Sequence, residues 1–165
     1  MFHKRLRGYA SIGYSAKCDS RPFETVNSIF DSHNFLTVFS NDISSAKPDI
    51  VIISPYITKE RLSKMLKILL SGLSNGAKLT IITRPDTDLE NKDKVAYEDM
   101  INSIRITGAN VIFKSNIHQK FAVIDQRVVW YGSINLLSYG SSEESIMRMD
   151  SVNIANKIIT LLTIY

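Results

Sequence analysis

The spacing of apolar positions changes period several times along the chain. Residues 22–39 place Phe23, Val26, Ile29 and Phe30 at helical intervals behind Pro22 at a first helical position, which predicts one helix. A mostly polar stretch over 40–48 then breaks the pattern. Ile50, Val51, Ile52 and Ile53 form a β-branched run of the kind that makes a strand buried on both faces, closed by Ser54, Pro55 and Tyr56. Thr58 stands in the cap position of a helix to about residue 73, whose stripe is Leu62, Met65, Leu66, Leu69 and Leu70 and whose stop is Asn75-Gly76. A strand over 79–82 ends at Arg84-Pro85, and residues 86–94 read as a polar, charged loop. A helix over 95–106 follows, with Met100, Ile101 and Ile104 inward. Strands are then expected over 109–113, 120–124 and 127–131, the last two joined by a tight Asp125-Gln126 turn, and another over 145–149. Ile154, Ile158, Leu161, Leu162 and Tyr165 mark a last amphipathic helix. Residues 1–21 carry no clear period and read as a strand or an irregular arm.

Strands alternating with helices of about ten to fifteen residues predict an α/β fold, a layered α-β-α sandwich. Its sheet is expected to be mixed and mostly parallel, the late hairpin adding the antiparallel part. A length of 165 residues fits one domain over 1–165, and 44% hydrophobic with 22% charged residues excludes low-complexity and strongly disordered classes. The single Cys18 excludes an intrachain disulfide and any Cys-based zinc cage, which favours a reducing, cytoplasmic setting. The basic start MFHKRLRGYASIGYSAKC lacks the apolar stretch of a signal peptide, and no apolar run approaches the roughly 20 residues of a membrane span. Twenty Lys and Arg against sixteen Asp and Glu give +4, a mild balance compatible with an anionic partner or with solubility alone.

Chemistry concentrates in His118-Gln119-Lys120-Phe121-Ala122-Val123-Ile124-Asp125 and, six residues on, Gly132-Ser133-Ile134-Asn135. On an extended strand, residues two apart share a face, so His118 and Lys120 are expected to point to one site. Gly132 permits close backbone approach, while Ser133 and Asn135 offer neutral donors, so that with Lys120 they suit the oxygens of a phosphodiester. Arg84 opens a polar loop after a strand, where α/β proteins often place ligand contacts; a solvated loop explains it equally well. Trp130 and Tyr131 fit core or rim better than a stacking platform, and the Lys4-Arg5-Arg7 cluster fits a solvated arm better than a phosphate-contacting one. The three histidines are scattered, and no carboxylate cluster has metal-ligand spacing.

These residues resemble the signature of the phospholipase D superfamily, H-x-K-x4-D followed by G-S-x-N, with every fixed position filled. The resemblance runs from about residue 49, through a strand ending in Ser-Pro-Tyr, to about residue 158. It implies phosphodiester transfer without metal or other cofactor, in which His118 attacks phosphorus and forms a phosphohistidine that water then hydrolyses. Lys120 and Asn135 are then oxygen-binding residues, Ser133 assists, and an acidic residue after the second segment orients His118. Glu143 and Glu144 both qualify, and Glu144 is taken because it directly precedes the strand-like run. Asp125 completes the signature, with a role better seen as structural than as proton transfer. The family needs two such motifs per active site and this chain has one, which implies a homodimer with a composite site.

The same residues serve nucleic acid, phospholipid and phosphatidyl-transfer enzymes of the family. Basic charge, the absence of an evident membrane segment and the short single-motif chain favour a nuclease, with DNA ahead of RNA as partner. Some segments also resemble the nuclease-type domain of helicases and restriction enzymes, so a larger DNA-processing protein is a second context. A phospholipid-directed phosphodiesterase or transferase is the alternative, and a noncatalytic nucleic-acid-binding module is a third reading, which the complete motif disfavours.

Overall fold

The runs expected to be strands pair into one sheet. A computed structural model describes residues 27–88, 94–140 and 143–163 of the chain, Thr163 by its backbone alone. Its strands are β1 (Ser28–Asp31), β2 (Asp49–Ile53), β3 (Lys78–Thr83), β4 (Asn110–Phe113), β5 (Phe121–Ile124), β6 (Val128–Gly132) and β7 (Ser145–Asp150). Its helices, among the described residues, are α1 (Phe35–Ser45), α2 (Lys59–Ser74), α3 (Lys94–Ile106) and α4 (Val152–Thr163), with a 3₁₀ turn at Asp86–Asp88. The sheet order is β1-β7-β6-β5-β2-β3-β4.

The α/β class and the mixed sheet are as the sequence predicts, but the parallel majority is not. Only β2 with β3 and β3 with β4 are parallel; β5 with β2, β6 with β5, β7 with β6 and β1 with β7 are antiparallel. The two parallel pairs are those joined by long crossover helices, α2 and α3, which parallel strands require. Between β5 and β6 the short 125–127 connection makes the pairing antiparallel.

Two apolar layers flank the sheet. On one face Phe35, Phe39 and Ile43 of α1, Leu62, Met65 and Leu69 of α2, and Tyr97, Ile101 and Ile104 of α3 cover Ile50, Ile52, Leu79, Ile81, Ala122, Ile124 and Trp130. On the other, Ala155 of α4, with half-buried Ile154, Ile158, Ile159 and Leu162, covers Ile53, Ile82, Phe121, Val123 and Val129. Each Ile or Leu fully buried here contributes about 1.5–3 kcal/mol relative to exposure. Leu161, expected on the inner stripe of the last helix, is instead half exposed, because the contacts run along 154, 155, 158, 159 and 162. Tyr165 lies outside the described residues.

The predicted helix over 22–39 is the largest departure. Residues 22–26 lie outside the described part; Ser28–Asp31 is a strand paired with β7, and helix begins only at Phe35, running through the supposed breaker to Ser45. Phe30 packs on Trp130 at 5.2 Å between ring centroids, and Phe39 meets it edge-on at 5.5 Å, so both sides of the 32–34 turn feed one aromatic cluster. Trp130 is fully buried and donates to Asp42 at 2.8 Å, which also pairs with Arg148, so it is core. The α2 boundary is as expected, yet Thr58 makes no side-chain capping bond and its hydroxyl is buried without a partner.

Candidate active site

The strand directions bring the carboxyl ends of β2, β3, β4 and β6 and the amino ends of β5 and β7 to one edge of the sheet. The loops that leave β2, β3, β4 and β6 at that edge carry the polar residues of the candidate site. Tyr56 follows β2, Arg84 follows β3, His118 and Lys120 precede β5, Ser133 and Asn135 follow β6, and Glu144 precedes β7. This is the edge where open α/β sheets generally bind ligands.

His118 is exposed and does not lie on the strand; β5 begins at Phe121, so the shared-face geometry expected for His118 and Lys120 is not what joins them. They are joined by the turn of the chain itself, since Lys120 Nζ donates to the His118 carbonyl at 3.1 Å. The ammonium keeps two further donors for a ligand. Arg84 approaches the imidazole from β3: Nη2 lies 3.0 Å from His118 Nε2 and 3.4 Å from Nδ1. A guanidinium only donates, so this contact uses a ring nitrogen with a free lone pair. Arg84 is itself fixed by Nε donating to the Ile117 carbonyl at 2.9 Å and Nη1 donating to the Tyr56 hydroxyl at 2.9 Å.

The Gly132–Asn135 segment is shaped by its neighbours. A Cβ on Gly132 would sit 2.3 Å from the Ser145 carbonyl oxygen and 2.6 Å from Ile146 Cα, so the close backbone approach it permits is to β7. Ser133 extends that ladder: its amide donates to the Ser145 carbonyl at 2.9 Å, and its hydroxyl accepts from the Ser145 amide at 3.0 Å. Ile134, Leu136 and Leu137 are buried and anchor the loop, leaving Asn135 facing the other way. Asn135 is half-buried, and its Oδ1, an acceptor, is buried without a hydrogen-bond partner. Ser54, fully buried at the exit of β2, holds the loop by accepting from the Leu137 amide at 3.1 Å.

Glu144 stands among cations. Burial pushes its carboxyl above the ordinary range, and nearby Lys120 and Arg61 pull it partly back. The hydrogen bonds described for the His118 ring come from Arg84, so the expected orienting role for Glu144 has no direct contact in this arrangement, and Glu144 is a neighbour of Lys120. Asp125 is brought nowhere near the site. It lies at the far end of β5, four residues or roughly 13 Å along the strand, where its carboxylate accepts from the Lys47 amide at 3.0 Å and the Asp49 amide at 3.4 Å. Counting it with the catalytic group is corrected by this geometry; reading it as structural agrees with it.

Two residues escaped the sequence reading. Tyr56 was quoted only as the end of a strand, although it holds Arg84. Arg61 sits 3% exposed within the apolar stripe of α2, donating from Nε to the Leu136 carbonyl at 3.1 Å, with its guanidinium 5.2 Å from the Phe35 ring and 5.0 Å from the Tyr139 ring. A single charged residue beside a leucine repeat carries no signal for such a role.

A family model described as "Cardiolipin synthase, PLD-like domain" matches residues 39–162, three quarters of the chain. The chain belongs to the phospholipase D superfamily. Among solved structures, this phospholipase D-like chain is similar to Nuc, a phospholipase D family member from Salmonella typhimurium (TM-score 0.63, 18% identity, covering 82% of this chain and 90% of that one). It is similar to NucT from Helicobacter pylori (TM-score 0.60, 22% identity, 82% and 92% covered). It is similar, too, to phosphatidylserine synthase from Haemophilus influenzae (TM-score 0.61, 12% identity), covering 83% of this chain and 36% of that one. At these identities the likeness is one of fold. A comparison with curated proteins finds no match. Among the described residues no three His, Cys, Asp or Glu side chains cluster as a metal site, and no helix is long and apolar enough to cross a membrane.

Proposed function

We propose that this phospholipase D-like chain is a nuclease that cleaves DNA, or less readily RNA, through a phosphohistidine at His118, without a metal. The observation that carries this reading is the exposed His118 imidazole, met by the Arg84 guanidinium at 3.0 Å, with the Lys120 ammonium donating to the His118 carbonyl. A nucleophile and two cations then converge on the space a phosphate would fill. A His118 ring nitrogen forms the P–N bond as the bond to the leaving oxygen breaks; water later attacks phosphorus and releases the histidine. Lys120, Arg84 and the Asn135 amide take the nonbridging oxygens, where charge grows in the transition state. The leaving oxygen needs a proton from the side opposite the attack, so the reading requires a second His118 from a second copy of the chain, in a homodimer of net charge about +8.

Nucleic acid is favoured by the basic balance and by the likeness of fold to Nuc and NucT. A lipid-directed transferase is the second reading, favoured by the family description and the likeness to phosphatidylserine synthase. One experiment separates them: purified protein is incubated with single- and double-stranded DNA, RNA and phospholipid vesicles in excess EDTA. Cleavage of nucleic acid that His118→Ala abolishes supports the nuclease. Turnover of phospholipid alone gives the lipid reading, and restoration only by added Mg²⁺ overturns the mechanism.

A further inference from the structure

The segment between β4 and His118 has no regular structure, so something outside it must fix where the imidazole stands. Four bonds do so, all to the loop that leaves β3. The Lys114 amide donates to the Thr83 carbonyl at 2.9 Å, and the Ile117 carbonyl accepts from Arg84 Nε at 2.9 Å. Between them Asp88 makes both remaining bonds: its Oδ1 accepts from Ser115 Oγ at 3.2 Å and its Oδ2 from the Asn116 amide at 3.2 Å. Asp88 is placed for this by the 3₁₀ turn Asp86–Asp88, closed by its own amide donating to the Pro85 carbonyl at 3.2 Å.

Asn116 has φ of 58°, in the left-handed region that Asn enters more readily than other residues bearing a side chain. That conformation turns the chain so that Ile117 enters the core under α4, 4% exposed, and His118 emerges against Arg84. The bond from the Asn116 amide to Asp88 selects this conformation; without it Asn116 is free to sample negative φ, and the next two side chains move with it. We infer that Asp88 is a positioning residue for His118, acting through the backbone of Asn116; as a statement about catalysis it rests on the reading of His118 as nucleophile. Arg84 and Asp88 belong to one loop, so the same short stretch sets both the cation that meets the imidazole and the backbone that carries it.

The proposal requires hydrogen bonds at residue 88 and not its charge. Asn in place of Asp88 can accept from the Asn116 amide through Oδ1 and donate to Ser115 Oγ through Nδ2, because a hydroxyl also accepts. Asp88→Ala and Asp88→Asn are therefore compared in three ways: kcat and KM on bis(p-nitrophenyl) phosphate, the rate of phosphohistidine formation, and amide hydrogen exchange over 115–118. Asp88→Ala is expected to lower kcat and the phosphorylation rate about 10- to 100-fold, the scale on which small misplacements of a reacting group act. KM stays within about twofold, exchange over 115–118 quickens, and Asp88→Asn recovers most of the loss. Unchanged kcat in Asp88→Ala overturns the proposal, as does an Asp88→Asn protein as impaired as Asp88→Ala. Should Asp88→Ala fail to fold, Asn116→Val reaches the same contact from its other side, since a β-branched residue resists positive φ; an unaffected kcat there overturns the proposal as well. Wild-type protein without His118-dependent cleavage overturns the nucleophile reading, and the exchange measurement still tests the Asp88 clasp by itself.

Discussion

At its amino end β5 follows a segment in which an imidazole is exposed and an ammonium keeps two donors beyond its bond to a backbone carbonyl; at its carboxyl end it enters a turn whose Asp125 carboxylate is taken up by backbone amides. There Asp125 and Gln126 have φ of 54° and 52°, the pair of positive values that a type I′ hairpin needs, and the Arg127 amide closes the turn on the Ile124 carbonyl at 3.0 Å. The Asp125 carboxylate accepts backbone amides of Lys47 and Asp49, and Gln126 Nε2 reaches Asp49 Oδ2 at 2.8 Å. One sequence motif thus spans two opposite physical situations. The exposed imidazole and the neighbouring ammonium stand where a substrate can reach them, and Asp125 spends its capacity on holding β5 to the start of β2. The difference separates what the motif's first residues do from what its last one does.

The sharpest way to break this comparison is at the open end. His118→Ala removes the proposed nucleophile from an exposed position with no packing role, so turnover should fall by about three orders of magnitude or more while the melting temperature stays within about 2 °C. A folded His118→Ala protein with wild-type turnover would sink the assignment.

Asp125→Ala tests the closed end and should do the reverse. Two backbone amides lose a charged acceptor, which costs about 1–3 kcal/mol, or a drop of roughly 3–10 °C in Tm for a chain of this size. Activity per folded molecule at low temperature should be retained within a fewfold. A large loss of kcat in a folded, thermally unchanged Asp125→Ala protein would show that the two ends are not separate.

How far this division could be read from residues alone follows from the range of the interactions. The spacing of His118, Lys120, Gly132, Ser133 and Asn135 announces a phosphate site because those residues sit on two loops adjacent in sequence and space. Strand β2, helices α2 and α3 and the Asp125-Gln126 turn were likewise legible, since their periods and turn chemistry are local. The parallel or antiparallel sense of β5 was not, because it depends on which edge of β2 is free when β5 arrives. Tyr56 and Arg61 were hidden for the same reason: their partners Arg84 and Leu136 lie 28 and 75 residues away. The 22–39 stripe misled because Ile29 and Phe30 lie on a strand paired with β7, a partner more than a hundred residues away that no local period reports.

A smaller effect sharpens the open end. Tyr56→Phe removes only the hydroxyl that accepts from Arg84 Nη1, leaving the ring over which the guanidinium lies at 5.1 Å. One neutral acceptor is worth about 0.5–1.5 kcal/mol, so kcat/KM should fall about 2- to 12-fold, with the larger share in kcat if Arg84 acts on the transition state. An effect as large as that of Arg84→Ala would mean that the hydroxyl itself meets the substrate.

The smallest expected effect concerns Glu144, and its sign follows from the cause of its shift. Burial raises its carboxyl above the ordinary 4.5 despite the pull of Lys120 and Arg61, so the folded protein holds the proton more tightly than the unfolded chain does. Below the unfolded value both states are protonated and no penalty exists. As pH rises through the raised folded value, the carboxyl ionises in a partly desolvated place and stability is lost relative to the acid range. Glu144→Gln cannot ionise, so it should melt slightly above wild type at pH 7–8, by a degree or two, and the two should converge below about pH 4. The measurement is Tm of both proteins across pH 3.5–8. A variant less stable than wild type at neutral pH would mean that attraction to Lys120 and Arg61 outweighs burial, and Glu144 would then belong with the satisfied groups of the turn, on the other side of the comparison.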